Sequence, residues 1–150
     1  MTDNQTVLVH GTCVALATRG ALLQGPPGAG KSDLALRFIT GHGIKDAALV
    51  ADDQVRIKRE GDILNASAPA VLEGMLEVRG IGIIAFKPLI SVPLALVVTL
   101  CARGEVPRLP PSPLPRQEIL GVLLPVLTLS PFDSSSPVKL KLALEKLIQA

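Results

Sequence analysis

Residues 25–36 read "GPPGAGKSDLAL", and the fold follows from how this stretch is understood. Gly25, four residues, then Gly30, Lys31 and Ser32 give the Walker A spacing, in which successive backbone N–H groups wrap phosphate oxygens while the lysine ammonium spans the outer two phosphates. Gly28 and Gly30 permit backbone angles and close approaches that a side chain would block. Ser32 offers a hydroxyl to Mg²⁺, and a helix starting there points its positive end at the anion. The loop Gly25, Pro26, Pro27, Gly28, Ala29, Gly30, Lys31 and Ser32 is therefore the expected nucleotide cradle, with ATP and Mg²⁺ as its ligands.

Such a loop needs a buried strand before it and a helix after it. "RGALLQG" supplies a short apolar run, Ala21–Leu23, and "SDLALRFITGHG" places Leu34, Ala35, Phe38 and Ile39 at helical spacing before Gly41 and Gly43. Upstream, "TVLVHGTCVALATRG" reads as two short strands meeting near His10-Gly11, with a turn at Arg19-Gly20. Downstream, "DAALVADD" is a compact apolar run ending in two acids, and "QVRIKREGDILNA" alternates and turns at Glu60-Gly61, as a hairpin does. "APAVLEGMLEVRG" is compatible with a short helix from Pro69 that includes Val71, Leu72 and Met75.

Strands are expected around Ile81–Phe86 and Leu94–Cys101, buried by their Ile/Val content. The stretch 81–102 has the length of a membrane span and a single charge, Lys87, but Lys87-Pro88 and Pro93 interrupt it. "VPRLPPSPLPRQ" reads as a proline-rich surface loop, and "SSSPVKLKLALEKLIQA" as a docking helix with Ser136 at the N-cap, Pro137 at the first turn and Leu140, Ala143, Leu144, Leu147 and Ile148 on one face.

The 150 residues suit one domain with a sizeable core, and 48% hydrophobic content fits a globular fold. Three Phe, no Tyr, no Trp and a net charge of +2 argue against a nucleic-acid surface built on stacking and basic clusters. Cys13 and Cys101 have apolar neighbours and no metal-ligand spacing, so they read as reduced core thiols of a cytoplasmic protein. No basic-then-apolar leader opens the chain.

Asp52-Asp53 closes the apolar run Ala47–Ala51 about twenty residues past Lys31, where a phosphate-loop protein carries its metal-side acid. On that logic Asp52 assists Mg²⁺ and Asp53 is the general base. "LEVRGIGII" then sets Glu77, Arg79, Gly80 and Gly82 inside an apolar stretch, a pattern of charges held at a site.

The ordered set "VHG", "GPPGAGKS", "LVADD" and "LEVRGIGII" resembles the catalytic domain of the HPr kinase/phosphorylase family, bacterial enzymes acting on a serine of the phosphocarrier HPr. The resemblance covers residues 5 to about 110. It implies an α/β, P-loop-containing kinase domain with a mixed, strand-rich sheet and few helices. It implies that His10 is the active-site histidine beside the acid pair, Lys31 the phosphate-binding lysine, and Asp53 or Asp52 the acid that takes the serine proton. It likewise makes Ser32 and Glu77 the Mg²⁺ ligands, joining the Asp52 read above as the metal-side acid, Arg79 part of the signature, and Arg108 a further active-site arginine.

The chain has no room for the additional N-terminal domain common in the family, so residues 1–150 are expected to form the catalytic domain alone. "LSPFDSSSPVKL" carries neither Arg nor Gly where the family has a loop linked to its reverse, phosphorylase activity, which points to an HPr kinase with that activity reduced or absent. The family assembles through its C-terminal region, and the shorter end here leaves the oligomeric state open between monomer and homo-oligomer, with no membrane or nucleic-acid partner expected. Two rivals keep the loop but change the role. A small-metabolite kinase would need an arginine-bearing lid, for which only Arg108 and Arg116 in "RLPPSPLPR" are available; an ATP-sensing module would bind without transfer.

Overall fold

The computed structural model describes residues 5–148. The first four residues, part of the stretch scanned for a leader, lie outside it. Three strands open the chain: β1 (Thr6–His10), β2 (Thr12–Leu16) and β3 (Arg19–Gln24), the last running into the glycine-rich loop and helix α1 (Lys31–Thr40). After α1 come β4 (Ala47–Ala51), β5 (Gln54–Glu60) and β6 (Ile63–Ser67), then a small hairpin of β7 (Met75–Val78) and β8 (Gly82–Ala85). The ten-residue β9 (Ser91–Leu100), β10 (Arg116–Ile119), β11 (Val122–Leu129) and α2 (Ser136–Leu142), continued by a π-helical turn Ala143–Leu147, complete the order.

Nine strands form one mixed sheet in the order β1-β5-β6-β9-β3-β2-β4, with β11 also on β9 and β10 outside β11. Strand β9 organises it, pairing antiparallel with β6 at Ser91–Pro93 and parallel with both β3 and β11 toward its other end. Alternation along the central strands feeds two cores. Val14, Leu16, Ala21, Leu23, Leu96 and Val98 face α1 and α2, meeting Leu34, Phe38, Leu140 and Leu144; Cys13, Ala15, Leu22 and Val97 face the opposite side with Val55, Ile57 and Leu64. Because both faces are covered, these strands read as continuous apolar runs. Each fully buried Leu or Val on them contributes roughly 1.5–3 kcal/mol.

Several expectations shift. The turn after β2 is Ala17-Thr18, with Ala17 at φ 53°, so Arg19 and Gly20 already belong to β3. Gly20 has to stay bare inside the sheet, since a Cβ there would meet Val92 Cγ1 at 2.6 Å. The helix expected from Pro69 is a single 3-10 turn, Ala70–Leu72, and Met75 begins β7. Gly74, at φ 73°, breaks it, and Phe86 N–H donates to the Gly74 carbonyl to close the hairpin. Strand β8 is not buried: Ile83 within it and Ile81 just before it are exposed, because a two-stranded sheet has no second layer over it.

Residues 81–102 form β8 and β9, and no helix among the described residues is long and apolar enough to cross a membrane. Arg116 and Gln117 leave the proline-rich loop for β10. The N-cap of α2 is Ser135; Ser136 lies inside the helix, buried, its hydroxyl donating to the Ser130 carbonyl. Leu147 is exposed where the helix widens. Cys13 is a core thiol but Cys101 is only half-buried.

Candidate functional site

The strand–loop–helix unit sets the glycine-rich loop at the start of α1. Gly28 and Gly30 have φ of 81° and 99°, angles that turn the loop so tightly that α1 begins at Lys31 with Gly30 as its left-handed cap. Lys31 is buried, and its Nζ donates to the carbonyls of Gly25 and Pro26 at 2.7 and 3.0 Å. The ammonium is thus folded over the loop it belongs to.

At the end of β4, Asp52 is buried and collects three donors. Ser32 Oγ and Thr12 Oγ1 donate to Oδ1 at 2.8 and 2.9 Å, and the backbone N–H of Glu77 lies 3.3 Å from Oδ2. One carboxylate therefore ties the loop, strand β2 and the β7–β8 hairpin together. Strand β2 stands between β3 and β4, so the acids reach the loop across β2. Thr12 is fully buried and went unnoticed in the sequence, where a threonine in a strand is unexceptional; its one signal is a polar residue opening the apolar run "TCVAL".

Asp53 occupies the turn from β4 to β5 at φ 71°, a strained angle for a side-chain-bearing residue. Its carbonyl accepts from Gly11 N–H at 3.0 Å, which brings the β1–β2 junction onto it. His10 Nδ1 lies 3.5 Å from Asp53 Oδ1, both side chains being exposed at the mouth of the site. Gly11 permits this crossing, since a Cβ there would meet the Leu23 carbonyl oxygen at 2.9 Å.

These groups line one cleft of about 800 Å³ that contains His10, Thr12, Lys31, Ser32, Asp52, Asp53, Glu77 and Arg79 with Pro27, Gly28 and Gly30. Asp33, Leu36, Leu72, Met75, Val78 and Ile83 add walls that the sequence did not mark. Glu77 and Arg79 are exposed on the hairpin rather than held in apolar surroundings, but they face the same space. Arg108 does not line the cleft; it is exposed on the loop between β9 and β10. Among the described residues no group of three or more His, Cys, Asp or Glu is placed to hold a metal by itself. Hydroxyl and carboxylate oxygens of Ser32, Asp52 and Glu77 are hard donors, the sort Mg²⁺ takes one or two at a time alongside phosphate and water.

With strand, loop, acids and hairpin assembled in this way, a profile of the HPr Serine kinase C-terminal domain matches residues 3–92. The chain belongs to that family. The HPr kinase/phosphorylase of Alkaliphilus metalliredigens is 43% identical over 89 residues, 58% of this chain and 27% of that protein. That of Cupriavidus metallidurans is 39% identical over 115 residues, 69% of this chain and 34% of the other. The chain spans between about a quarter and a third of the length of these curated relatives. The solved structure of the Hpr(Ser) kinase/phosphatase from Coxiella burnetii matches with a TM-score of 0.76 at 25% identity, over 90% of this chain and 91% of that one. The mixed, strand-rich α/β kinase architecture expected from the sequence is the family's, and it reaches past the profile match into β9–β11 and α2.

Proposed function

We propose that this chain is the catalytic unit of an ATP- and Mg²⁺-dependent protein serine kinase whose acceptor is the phosphocarrier HPr, working mainly in the forward direction. The convergence of Ser32, Thr12 and the Glu77 amide on Asp52, with Asp53 and His10 alongside, carries this reading. The family relatives are HPr kinases by name, and the acceptor comes from them.

The two acids divide the work. Asp52 has its oxygens engaged by three donors, which suits a metal-side role with Ser32 and Glu77. Asp53 is exposed at the cleft mouth and has His10 beside it, which suits a base that an incoming serine can reach. A serine hydroxyl is a poor nucleophile at neutral pH, so Asp53 accepts its proton as the oxygen attacks the γ-phosphorus, the bond to the β,γ-bridging oxygen breaks and ADP leaves, while His10 holds the carboxylate in place. When bound, Mg²⁺ neutralises charge on the phosphoryl oxygens. Lys31 exchanges the Gly25 and Pro26 carbonyls for phosphate oxygens, and Arg79 supplies a further cation on the acceptor side.

The test incubates the protein with labelled ATP, Mg²⁺ and HPr from the same organism, then repeats it with Asp53→Asn. Phosphoserine is expected with the native chain, and a loss on the order of 10²–10⁴-fold with the variant at unchanged ATP affinity. ATP binding with no transfer by the native chain would overturn the reading in favour of a sensor, and transfer to a small metabolite would replace HPr as acceptor.

A further inference from the structure

Between β11 and α2 the chain carries Phe132, 68% exposed. The other phenylalanines are Phe38, fully buried, and Phe86, packed partly buried against the same core; Tyr and Trp are absent from the sequence. The one strongly exposed aromatic ring among the described residues lies directly against the phosphate loop. A Cβ on Gly30 would fall 2.9 Å from the ring's Cζ and 2.9 Å from Pro131 Cγ.

Polar bonds hold this segment, and the ring is no part of them. Arg37 of α1 donates to the carbonyls of Pro131 and Asp133, Arg103 pairs with Asp133 at 2.9 Å, and Ser136 Oγ donates to the Ser130 carbonyl at 2.5 Å. The segment therefore presents apolar area to water that its own anchoring does not need.

We propose that Phe132, backed by Pro131, is the stacking platform for the nucleotide's base, an assignment that rests on the adjoining loop being the triphosphate's cradle. The flanks of α1 differ in kind. On one, β7 packs and brings Glu77 and Arg79 toward the acids; on the other, α2 packs, with Phe132 just before it. The ring is not among the cleft's lining residues but abuts Gly30, which is. A nucleotide runs from terminal phosphate through ribose to base, so with its outer phosphate beside Asp53 its base leaves over the flank of Phe132. Stacking reads the π face that every base has, so the platform serves adenine and guanine alike.

Native protein, Phe132→Ala and Phe132→Trp are titrated calorimetrically with ATP, GTP and inorganic tripolyphosphate. Phe132→Ala is expected to weaken ATP and GTP about tenfold and to leave tripolyphosphate unchanged. Phe132→Trp is expected to retain ATP affinity, and its emission, in a chain otherwise free of Trp, to change with ATP and not with tripolyphosphate. Equal ATP affinity in the native and Ala proteins, whatever happens to oligomeric state, overturns the platform. Parallel loss of ATP and tripolyphosphate also overturns it, because the ring would then only support the loop. Native protein that binds neither ligand would instead overturn the nucleotide reading beneath it.

Discussion

Asp52 is the side chain on which the site turns, and each of its donors is separately removable. Thr12→Val keeps the shape of a fully buried side chain but withdraws one hydrogen bond from a carboxylate. It is expected to lower stability by about 1.5–3 kcal/mol, the range for hydrogen bonds to charged groups, read as a lower urea midpoint at unchanged m. Gly30→Ala is expected to be worse for function than for folding. Its φ of 99° resists a side chain and its Cβ would push into Pro131 and Phe132, so ATP affinity falls with a stability loss of about 1–3 kcal/mol. Lys31, Ser32 and the acid pair were legible because local spacing announces them. Thr12 was not, since its meaning lies in a partner forty positions away that no local pattern encodes.

The β7–β8 hairpin is the least supported piece of the site. It has two strands, apart from the main sheet, with Ile83 and Met75 exposed and only Leu76 fully buried between them. A two-stranded ribbon of this sort is marginal by itself, so its amides are expected to exchange with deuterium well before those of β3 and β9 at the sheet centre, measured residue by residue. Gly74→Ala places a Cβ 2.4 Å from the Phe86 carbonyl at a φ of 73°, so the hairpin must shift. Phosphotransfer is expected to drop while ATP affinity changes little. Glu77 and Arg79 of "LEVRGIGII" do line the cleft, yet they are exposed where the apolar context suggests burial. Ile-rich composition says that a strand forms, whereas the cover over it depends on neighbours distant in sequence.

The sheet as a unit explains what else was hidden. Alternation fixes which residues of β2, β3 and β9 share a face, but nothing in the sequence of β9 says that it pairs with β6, β3 and β11 in turn. That pairing sets Cys13 in the centre, where burial pushes its thiol well above the ordinary 9.0; at Cys101 burial, followed by the Glu105 carboxylate, raises the thiol more modestly. A thiol kept neutral by folding leaves stability intact below its unfolded value. Stability is then expected to fall as pH rises above about 9, by about 1.4 kcal/mol per pH unit for Cys13, seen in urea melts across pH 7–10.5. In native protein a thiol reagent should modify Cys101 slowly, faster at higher pH, and reach Cys13 only on unfolding.

The hold of Lys31 on the Gly25 and Pro26 carbonyls has a consequence for ligand choice. An arriving anion does not capture a bare cation; it must outbid two oxygens already in place, so affinity reports the difference between two sets of partners. A nucleotide with one phosphate, unable to reach the ammonium, gains nothing from that exchange. As the proposed triphosphate cradle, the loop thereby discriminates by phosphate-chain length before any base or acceptor is sensed.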